Sequence, residues 1–275
     1  MTFEGAELGL HWEPVAERLY RDKPGLILVH IPKTGGSSVA SAIRRHYRLS
    51  DLNIRAGQSS RAAEALTGMS GSDRGFDAAV QSLRASLAFY AAERGVKFIT
   101  GHLWYEPAMK NLEGRGYHCV SVIREPVARW YSAYFYRRFK SAGHGKIDLD
   151  IEAFLDSEQG RSLGSSYVRY LGGTQAGKDY CSHRAVTVAI ERMRGLAVIG
   201  CLEDLKGFQN AMSQRFGLRL EIPHKRKSPV LNNPEHLELM NKAKGSNELR
   251  KRIEEICAPN MVIYEHVRSR GLGTG

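Results

Sequence analysis

The sequence predicts an α/β protein of three layers, in which a central parallel β-sheet is flanked by helices. Short apolar runs alternate along the chain with longer amphipathic segments, as expected for strands that alternate with helices. Within the runs, polar and apolar residues do not alternate, so we expect strands that are buried on both faces. A chain of 275 residues, 42% of them hydrophobic and 25% charged, can bury a full core. We expect a single domain over residues 1–275, with its core at residues 24–270.

Four strands are predicted from the apolar runs, at residues 25–30, 96–100, 117–123 and 196–201. Helices are predicted where apolar residues recur every three or four positions, at residues 37–47, 76–94, 126–139, 151–156, 160–171, 183–194 and 203–216. Two or three further helices are predicted within 234–270, with breaks at Gly245 and Pro259. Residues 50–75 and 172–183 are rich in glycine and polar residues, so we expect loop excursions there, the second being a candidate lid.

The chain carries 40 Lys and Arg against 29 Asp and Glu, which gives a net charge of +11 and a pI near 9.6. A basic excess indicates a polyanionic partner, such as nucleic acid, an anionic membrane face or a small molecule with phosphate or sulfate groups. The sequence lacks interleaved basic and aromatic stripes, so no nucleic acid partner is expected. The apolar runs are too short to span a bilayer and no secretory signal is visible. We therefore expect no transmembrane segment and a cytoplasmic location, or one peripheral to a membrane.

The strongest local signal is a glycine-containing loop between the first predicted strand and the first predicted helix. Adjacent glycines let the backbone approach a ligand closely, and free amides at a helix N-terminus form a cradle for an anion. Lys33 adds a positive charge, while Thr34, Ser37 and Ser38 add hydroxyl donors. The expected ligand is a phosphate group, and the alternative is a tight turn without a ligand. The loop reads His30-Ile31-Pro32-Lys33-Thr34-Gly35-Gly36-Ser37-Ser38, and the amides expected to be free are those of Gly36, Ser37 and Ser38.

This loop departs from the Walker A pattern, in which the lysine follows the last glycine. Lys33 precedes both glycines, and no predicted strand ends in an aspartate suited to magnesium. The departure argues against ATP or GTP hydrolysis with Mg²⁺. The four cysteines form no CxxC pair, and Cys119 and Cys201 are expected as buried thiols, so no metal site is predicted.

A second signal begins where the third predicted strand ends. Arg124 stands at the carboxyl end of that strand, the edge at which α/β sheets bind ligands, and Ser132 follows on the next predicted helix. A guanidinium group and a hydroxyl group in this arrangement can hold one phosphate between them. The alternative is an arginine paired with an acid and a serine packed on its helix. Arg129, on the same helix, is expected either to join Arg124 or to face solvent.

Together the two segments resemble the two cofactor loops of sulfotransferases that use 3′-phosphoadenosine 5′-phosphosulfate (PAPS), in particular the carbohydrate type that includes the heparan and dermatan uronyl 2-O-sulfotransferases. The resemblance implies a P-loop-like fold and transfer of a sulfuryl group from PAPS to a hydroxyl of a carbohydrate-like or glycolipid-like acceptor. The product would be 3′-phosphoadenosine 5′-phosphate (PAP), and no metal is expected. The resemblance also implies that Arg124 and Ser132 hold the 3′-phosphate. The 5′-phosphosulfate would lie on Lys33, Thr34, Gly35, Gly36, Ser37 and Ser38; the matching segments are Ile31-Pro32-Lys33-Thr34-Gly35-Gly36-Ser37-Ser38 and Arg124-Glu125-Pro126-Val127-Ala128-Arg129-Trp130-Tyr131-Ser132-Ala133-Tyr134.

Sulfuryl transfer builds negative charge on the bridging oxygen, and the acceptor hydroxyl must lose a proton. Lys33 is the predicted group that neutralises the leaving oxygen. His102, which follows the second predicted strand, is the predicted base. The resemblance supports His102, because uronyl-type members use a histidine near this region, and Glu106 is the alternative. Trp104 and Tyr105 are expected either to stack on a sugar ring or to pack in the core.

Two other functions fit the same residues: a P-loop kinase for a small molecule, and a protein that binds a nucleotide or polyanion without turnover. A kinase requires Mg²⁺, whereas sulfuryl transfer from PAPS does not. The basic loop His224-Lys225-Arg226-Lys227-Ser228 is expected to close over the cofactor, to hold an anionic acceptor, or to be a solvated surface run. The sequence identifies neither the acceptor nor the oligomeric state.

Overall fold

The computed structural model describes residues 18–71, 73–141, 145–173, 179–223 and 233–269. Its strands form one parallel sheet in the spatial order β2-β3-β1-β4-β5, so β1 lies at the centre between β3 and β4. The α/β class with a central parallel sheet is confirmed, and so are the four predicted strands. The strands are β1 (Gly25–Val29), β2 (Asp51–Ile54), β3 (Phe98–Gly101), β4 (Tyr117–Ile123) and β5 (Val198–Cys201).

Helices connect the strands and cover both faces of the sheet. Short 3₁₀-helices also form, at Pro107–Arg115 and Leu202–Asp204. Several helices begin at a polar side chain that accepts a hydrogen bond from an otherwise unpaired backbone amide, as at Ser182 and Asp204. The α-helices are α1 (Gly36–Arg44), α2 (Ala56–Thr67), α3 (Phe76–Glu93), α4 (Pro126–Phe139), α5 (Ile151–Asp156), α6 (Glu158–Gly164), α7 (Ser166–Gly172), α8 (His183–Met193), α9 (Leu205–Phe216), α10 (Pro234–Gly245) and α11 (Asn247–Ser269).

The prediction of a loop excursion at residues 50–75 is wrong, because this segment contains β2 and α2. Strand β2 pairs with β3 at one edge of the sheet, and Ile54 is its only buried residue. An edge strand needs no continuous apolar run, so the pattern that reveals the central strands is missing here. Helix α2 buries only Ser59 and Ala63, and this stripe is too weakly apolar to predict a helix.

Further predicted helix boundaries differ from the structure. The segment 160–171 forms two helices, α6 and α7, rather than one. The predicted break at Gly245 is confirmed by the end of α10, but Pro259 lies inside α11 without ending it. The next residue, Asn260, is fully buried and accepts a hydrogen bond from the backbone amide of Tyr167 at 2.8 Å. Tertiary contacts of this kind hold α11 together across the proline.

Alternate residues of the central strand face opposite layers of the protein. On β1, Ile27 and Val29 belong to an apolar cluster with α3, α7, α8 and α11, whereas Leu26 and Leu28 belong to a cluster with α1 and α9. All four side chains are fully buried. A third cluster joins α4, α5 and α6 to α11 beside the sheet. The three-layer arrangement explains why β1 is an unbroken apolar run.

All four cysteines are free thiols, and Cys119 and Cys201 are buried, as predicted. None of the described helices is long and apolar enough to cross a membrane. The single domain and the cytoplasmic location stay predictions. In the predicted excursion 172–183, residues 174–178 lie outside the described residues, so its role as a lid also stays a prediction.

The topology brings three candidate residues to one edge of the sheet. Because β1, β3 and β4 are parallel neighbours, their carboxyl ends lie side by side. Lys33 follows β1, His102 follows β3 and Arg124 follows β4. This is the edge at which α/β proteins bind ligands.

Candidate active site

The loop between β1 and α1 contains two residues in the left-handed backbone conformation, Lys33 with φ of 70° and Gly35 with φ of 83°. For a residue such as Lys33 this conformation costs about 1–2 kcal/mol, and strain of this size concentrates at functional sites. A Cβ atom on Gly35 would lie 2.5 Å from Leu202 Cδ1, and one on Gly36 would overlap the ring of His30. Both glycines are therefore required by the packing of this loop.

Backbone amides in this loop are available to an anion. In the part of the chain that the structure describes, the amides of Thr34, Gly36 and Ser37 have no hydrogen-bond acceptor. The amide of Ser38 donates to the carbonyl of Gly35 at 3.0 Å, so the expectation that it is free is wrong. The N-terminus of α1 adds partial positive charge at the same place. Unpaired amides at a helix N-terminus are the kind of donors that bind phosphate groups.

The hydroxyl group of Thr34 stabilises the loop from the interior of the protein and does not point towards a ligand. The side chain is fully buried, and its hydroxyl donates to the carbonyl of Ile31 at 2.9 Å. The hydroxyl predicted as a donor to the ligand is therefore engaged, and the backbone amide is what Thr34 presents. Ser37 is exposed and Ser38 half-buried, so their side chains can reach a ligand.

Arg129 also supports the loop, from below. Its guanidinium group is buried; Nη1 donates to the carbonyl of Pro32 at 3.4 Å, and Nη2 donates to Ser166 Oγ at 2.9 Å. Both positions expected from the sequence, beside Arg124 on a phosphate or in solvent, are wrong. Arg129 therefore has a structural role beneath the loop. Its long side chain, which carries several N–H donors, reaches from α4 to the carbonyl oxygen of Pro32 and to the hydroxyl oxygen of Ser166.

Lys33 carries a charge that remains available to a ligand. Its ammonium group lies 3.9 Å from the centre of the Tyr136 ring, and no carboxylate among the described residues forms an ion pair with it. Burial, and then the charge of Arg124, lower the pKa of Lys33 to about 8. The side chain is therefore mostly protonated at pH 7, and it is held by an aromatic ring that does not neutralise it.

Arg124 lies directly beside this loop. Its Nη1 donates to the carbonyl of Lys33 at 3.5 Å, and its backbone amide donates to the hydroxyl of Tyr167 at 3.0 Å. The same hydroxyl donates to the carbonyl of Arg124. Because Tyr167 is fully buried, it fixes the backbone from which the guanidinium group projects.

A second cation near Arg124 comes from a distant part of the sequence. Burial, and then the charge of Arg124, lower the pKa of Lys244, which lies at the end of α10. The neighbouring carbonyl of Ala243 accepts a hydrogen bond from the hydroxyl of Tyr131 on α4 at 3.3 Å, which fixes this end of α10. Sequence reasoning missed Lys244, since no local motif marks it.

Ser132 lies half-buried on α4, two turns after the helix begins. The N-terminus of α4 itself is already capped, because Glu125 accepts hydrogen bonds from the amides of Val127 and Ala128 at 3.0 and 2.6 Å. An anion at this end of β4 must therefore be held by side chains, first among them that of Arg124.

His102 is held in one orientation at the end of β3. Its Nδ1 lies 2.7 Å from the carbonyl of His30, which can only accept, so Nδ1 carries the hydrogen and Nε2 carries the lone pair in the neutral ring. The carbonyl of His102 accepts hydrogen bonds from Arg84 Nη1 at 2.6 Å and from Gln81 Nε2 at 3.2 Å. Both donors come from α3, and sequence reasoning did not identify them.

The two histidine rings lie next to each other, with centres 4.5 Å apart. Burial lowers the pKa of His102, and the charge of Arg84 lowers it further, against the opposing effect of the hydrogen bond to His30. Burial, then His102, then Lys33 lower the pKa of His30 to about 3. Both rings are therefore neutral at pH 7, and His102 is in the form that can accept a proton.

The residues that follow His102 in the loop after β3 pack against the protein. Trp104 and Tyr105 are buried, so the core-packing alternative holds for both. The side chains of Glu106 and Arg192 both lie against Gly173. A Cβ atom added to this glycine would be 3.0 Å from Glu106 Oε1 and 3.0 Å from Arg192 Nη1. The charge of Glu106 in turn raises the pKa of Arg192 against the effect of burial. The structure thus places Glu106 beside a cation, which makes it the weaker candidate for the base.

More arginines surround this edge of the sheet. Burial, then Arg129, then Arg169 lower the pKa of Arg137. Arg169 lies 4.0 Å from Asp77, which is largely exposed, and its buried Nε has no hydrogen-bond partner among the described residues. Burial lowers the pKa of Arg84, and the charge of Asp77 opposes this effect. Because Arg84 also donates to the carbonyl of His102, Asp77 links these arginines to the histidine pair. The cluster attracts anions to the site.

Two predictions about the site are not tested by these positions. The basic loop, residues 224–228, lies outside the described residues. Within the described ranges, no three histidine, cysteine or carboxylate side chains form a group that could hold a metal ion, and a metal-free site stays a prediction.

Comparison with known proteins identifies no family. No family model matches the chain, and no curated protein matches it. Among solved structures, the chain is similar to one from the PezAT chromosomal toxin-antitoxin system of the human pathogen Streptococcus pneumoniae, at 12% sequence identity and a TM-score of 0.36. The match covers 89% of this chain and 96% of that chain. A likeness of this degree supports no argument about function, which must rest on the site itself.

Proposed function

We propose that this protein is a sulfotransferase that moves a sulfuryl group from PAPS to a hydroxyl of a carbohydrate-like acceptor. The observation that carries the proposal is a pair of cationic sites at neighbouring strand ends. Lys33 and the unpaired amides of its loop follow β1, and Arg124, with Lys244 near it, follows β4. A nucleotide with phosphates on both its 5′ and 3′ positions requires two such sites.

The loop after β1 suits the reacting end of the donor. PAPS supplies an activated sulfuryl group on a phosphate that leaves with negative charge. The half-buried ammonium of Lys33 neutralises that charge more effectively than an exposed one, because little water screens it. The amides of Gly36 and Ser37 bind the same phosphate.

His102 supplies the base. Its Nε2 accepts the proton of the acceptor hydroxyl, because Nδ1 already carries a hydrogen that is donated to His30. As the proton leaves, the hydroxyl oxygen forms a bond to sulfur, and the bond from sulfur to the bridging oxygen breaks. The electron pair of that bond stays on the leaving phosphate beside Lys33. The proton and the charge are therefore both accounted for by residues at this edge of the sheet.

The arginines beside the histidine pair favour an anionic acceptor. Among the described residues, the carboxylate that acts on Arg137 and pairs with Arg169 is Asp77, and it is largely exposed. A sugar that bears a carboxylate or sulfate would pair with this excess positive charge, whereas a neutral sugar would not. We therefore propose an acidic carbohydrate as the acceptor class.

A small-molecule kinase is the second candidate, because a strand, a glycine loop and a helix with unpaired amides also suit the phosphates of ATP. The position of Lys33 before the glycines and the further cations Arg124 and Lys244 beside the loop favour PAPS. Calorimetry with PAP and with ATP plus Mg²⁺ distinguishes the two functions.

We expect PAP to bind the wild-type chain, and Arg124→Ala to weaken PAP at least about tenfold, because a charge-assisted hydrogen bond is worth about 1.5–3 kcal/mol. Arg184→Ala changes an exposed arginine on α8 and should leave PAP binding unchanged. Tighter binding of ATP plus Mg²⁺ than of PAP, unaffected by Arg124→Ala, would support the kinase instead. Transfer of radiolabelled sulfate from PAPS to acidic oligosaccharides, but not to neutral ones, tests the acceptor class.

A further inference from the structure

The charged end of Lys33 lies against the ring of Tyr136, on α4. The ammonium nitrogen is 3.9 Å from the centre of the ring, well inside the distance of about 6 Å at which the face of an aromatic ring attracts a cation. The ring is 38% exposed, so packing in the core does not explain its position. The contact therefore requires an explanation within the site.

The register of α4 brings this ring to the glycine loop. Arg129, Ser132 and Tyr136 follow one another at spacings of three and four residues, so they lie on one face of the helix. The guanidinium group of Arg129 donates to a carbonyl of the loop, which shows that this face lies against the loop. Ser132 is the predicted ligand of the 3′-phosphate. Tyr136 thus occupies the next turn of the helix face that lies towards the site.

The other charged and titratable groups around Lys33 do not hold its ammonium. Burial, and then the charge of Arg124, lower the pKa of Lys33, and Arg129 is a further cation below the loop. Burial, then His102, then Lys33 itself keep the pKa of His30 at about 3, so this ring is neutral at pH 7. Among the described residues, the groups that shift the pKa of Lys33 include no anion. The aromatic ring is therefore the group that attracts the ammonium.

A ring holds an ammonium group differently from a carboxylate. An ion pair would neutralise Lys33, and a phosphate that took its place would leave an unpaired carboxylate next to the incoming negative charge. The face of a ring attracts the cation through its quadrupole and carries no net charge, so the ammonium can leave it for a phosphate. A ring therefore suits a lysine that must be charged and positioned before the ligand arrives and must then change its partner.

We propose that Tyr136 is a positioning residue for sulfuryl transfer: its ring holds the charged ammonium of Lys33 beside the glycine loop and releases it to the phosphosulfate when the donor binds. This role rests on the proposed transferase function. In the free protein, the ring favours the protonated form of Lys33, and in the donor complex the bridging oxygen takes its place. Removing the attraction of the ring should therefore lower the pKa of Lys33 in the free protein alone.

The test keeps the shape of the ring and changes the charge on its face. Tyr136→Phe retains the attracting face, whereas Tyr136→pentafluorophenylalanine covers the ammonium equally well but withdraws electrons from that face. The pKa of Lys33 is measured without ligand, from the pH dependence of its acetylation, which is read by mass spectrometry. A ring that only shields Lys33 from water would give the same pKa in both variants.

We expect the pKa of Lys33 in Tyr136→Phe to lie within about 0.3 pH unit of the wild-type value, and in the fluorinated variant to lie about 0.5–1 pH unit below that of Tyr136→Phe. The same two substitutions at Tyr90, an exposed tyrosine on α3, are the matched control and should leave the pKa of Lys33 unchanged. Equal pKa values in the two variants at position 136, or an equal shift from the variants at position 90, would overturn the proposal.

Kinetics with PAPS separate this role from a purely structural one, because kcat/KM reports the free enzyme and kcat reports the complex. In the fluorinated variant, the alkaline decline of kcat/KM should move about 0.5–1 pH unit lower, while that of kcat stays in place. Equal movement of the two would contradict the release of Lys33. If the wild-type chain transfers no sulfuryl group while the acetylation result is as expected, the proposed function fails, and the ring is still supported as the group that holds Lys33.

A measurement on the wild-type chain covers the case in which the fluorinated variant does not fold. The side-chain protons next to the Lys33 ammonium lie over the ring, so their NMR signals should be shifted upfield relative to those of Lys206, which is exposed on α9. Saturation with PAP should return them towards the position of the Lys206 signals. Signals without an upfield shift in the free protein, or signals that stay in place when PAP is bound, would contradict the proposal.

Discussion

Raising the pH above about 8 should slow sulfuryl transfer, because Lys33 loses the proton with which it neutralises the leaving oxygen. Burial and the charge of Arg124 lower the pKa of Lys33 to about 8. On the acid side, the limiting group is His102, whose pKa burial lowers below its ordinary value of 6.5. His102 must be neutral and Lys33 charged for transfer to proceed. The rate should therefore rise with pH below 6.5, level off near neutrality and fall above 8.

The alkaline side of this profile can be given a magnitude. With a pKa of about 8, about one tenth of Lys33 is protonated at pH 9 and about one hundredth at pH 10. The value of kcat/KM should therefore fall about tenfold for each pH unit above 8. An arginine at position 33 stays charged throughout this range, because its pKa exceeds about 12. Lys33→Arg should lose the alkaline decline and keep the acid one.

The assay is transfer from radiolabelled PAPS at constant ionic strength between pH 5 and 10, with kcat/KM reporting the free enzyme. Lys206→Arg, on an exposed face of α9, is the matched control and should keep the wild-type profile. A wild-type rate that stays level from pH 8 to 10 would refute the reasoning. An alkaline decline that persists in Lys33→Arg would refute it as well.

Three further substitutions test the frame and the base. Tyr167→Phe removes the hydroxyl that serves both the amide and the carbonyl of Arg124, so the free energy of unfolding in urea should fall by about 1–3 kcal/mol, and an unchanged value would contradict this contact. Gly36→Ala places a methyl group against a neighbouring ring, so we expect a loss of about 1–3 kcal/mol together with weaker PAP binding; wild-type affinity by calorimetry would argue against the close packing. His102→Gln should lower kcat about 10²- to 10⁴-fold and leave the affinity for PAP within twofold of wild type. The control His183→Gln, on α8, should change neither quantity. A normal kcat in His102→Gln would exclude His102 as the base.

The fold could be predicted from the sequence where burial leaves a local pattern. Strand β1 is buried on both faces, so all five residues are apolar or small and the strand is evident. Strand β2 lies at the edge and α2 buries little apolar area, so neither leaves such a pattern. Pro259 shows the opposite case, in which a local signal for a break is overridden by buried contacts on both sides of it.

The same reasoning applies to the site. The glycine loop is contiguous, so its backbone requirement at Gly35 and Gly36 can be read from the residues. The contact of Arg84 with His102 joins two different elements, and the charge of Lys244 near Arg124 comes from a distant part of the sequence. No local pattern reports either of them.

The measurement that tests the central claim most directly is a crystal structure with PAP. We expect the 5′-phosphate within hydrogen-bonding distance of Lys33 Nζ and of the amides of Gly36 and Ser37, and the 3′-phosphate on the guanidinium group of Arg124 and the hydroxyl of Ser132. A nucleotide that leaves the glycine loop without a phosphate, or that places its 3′-phosphate away from Arg124, would contradict the claim that two cationic sites bind the two ends of one nucleotide.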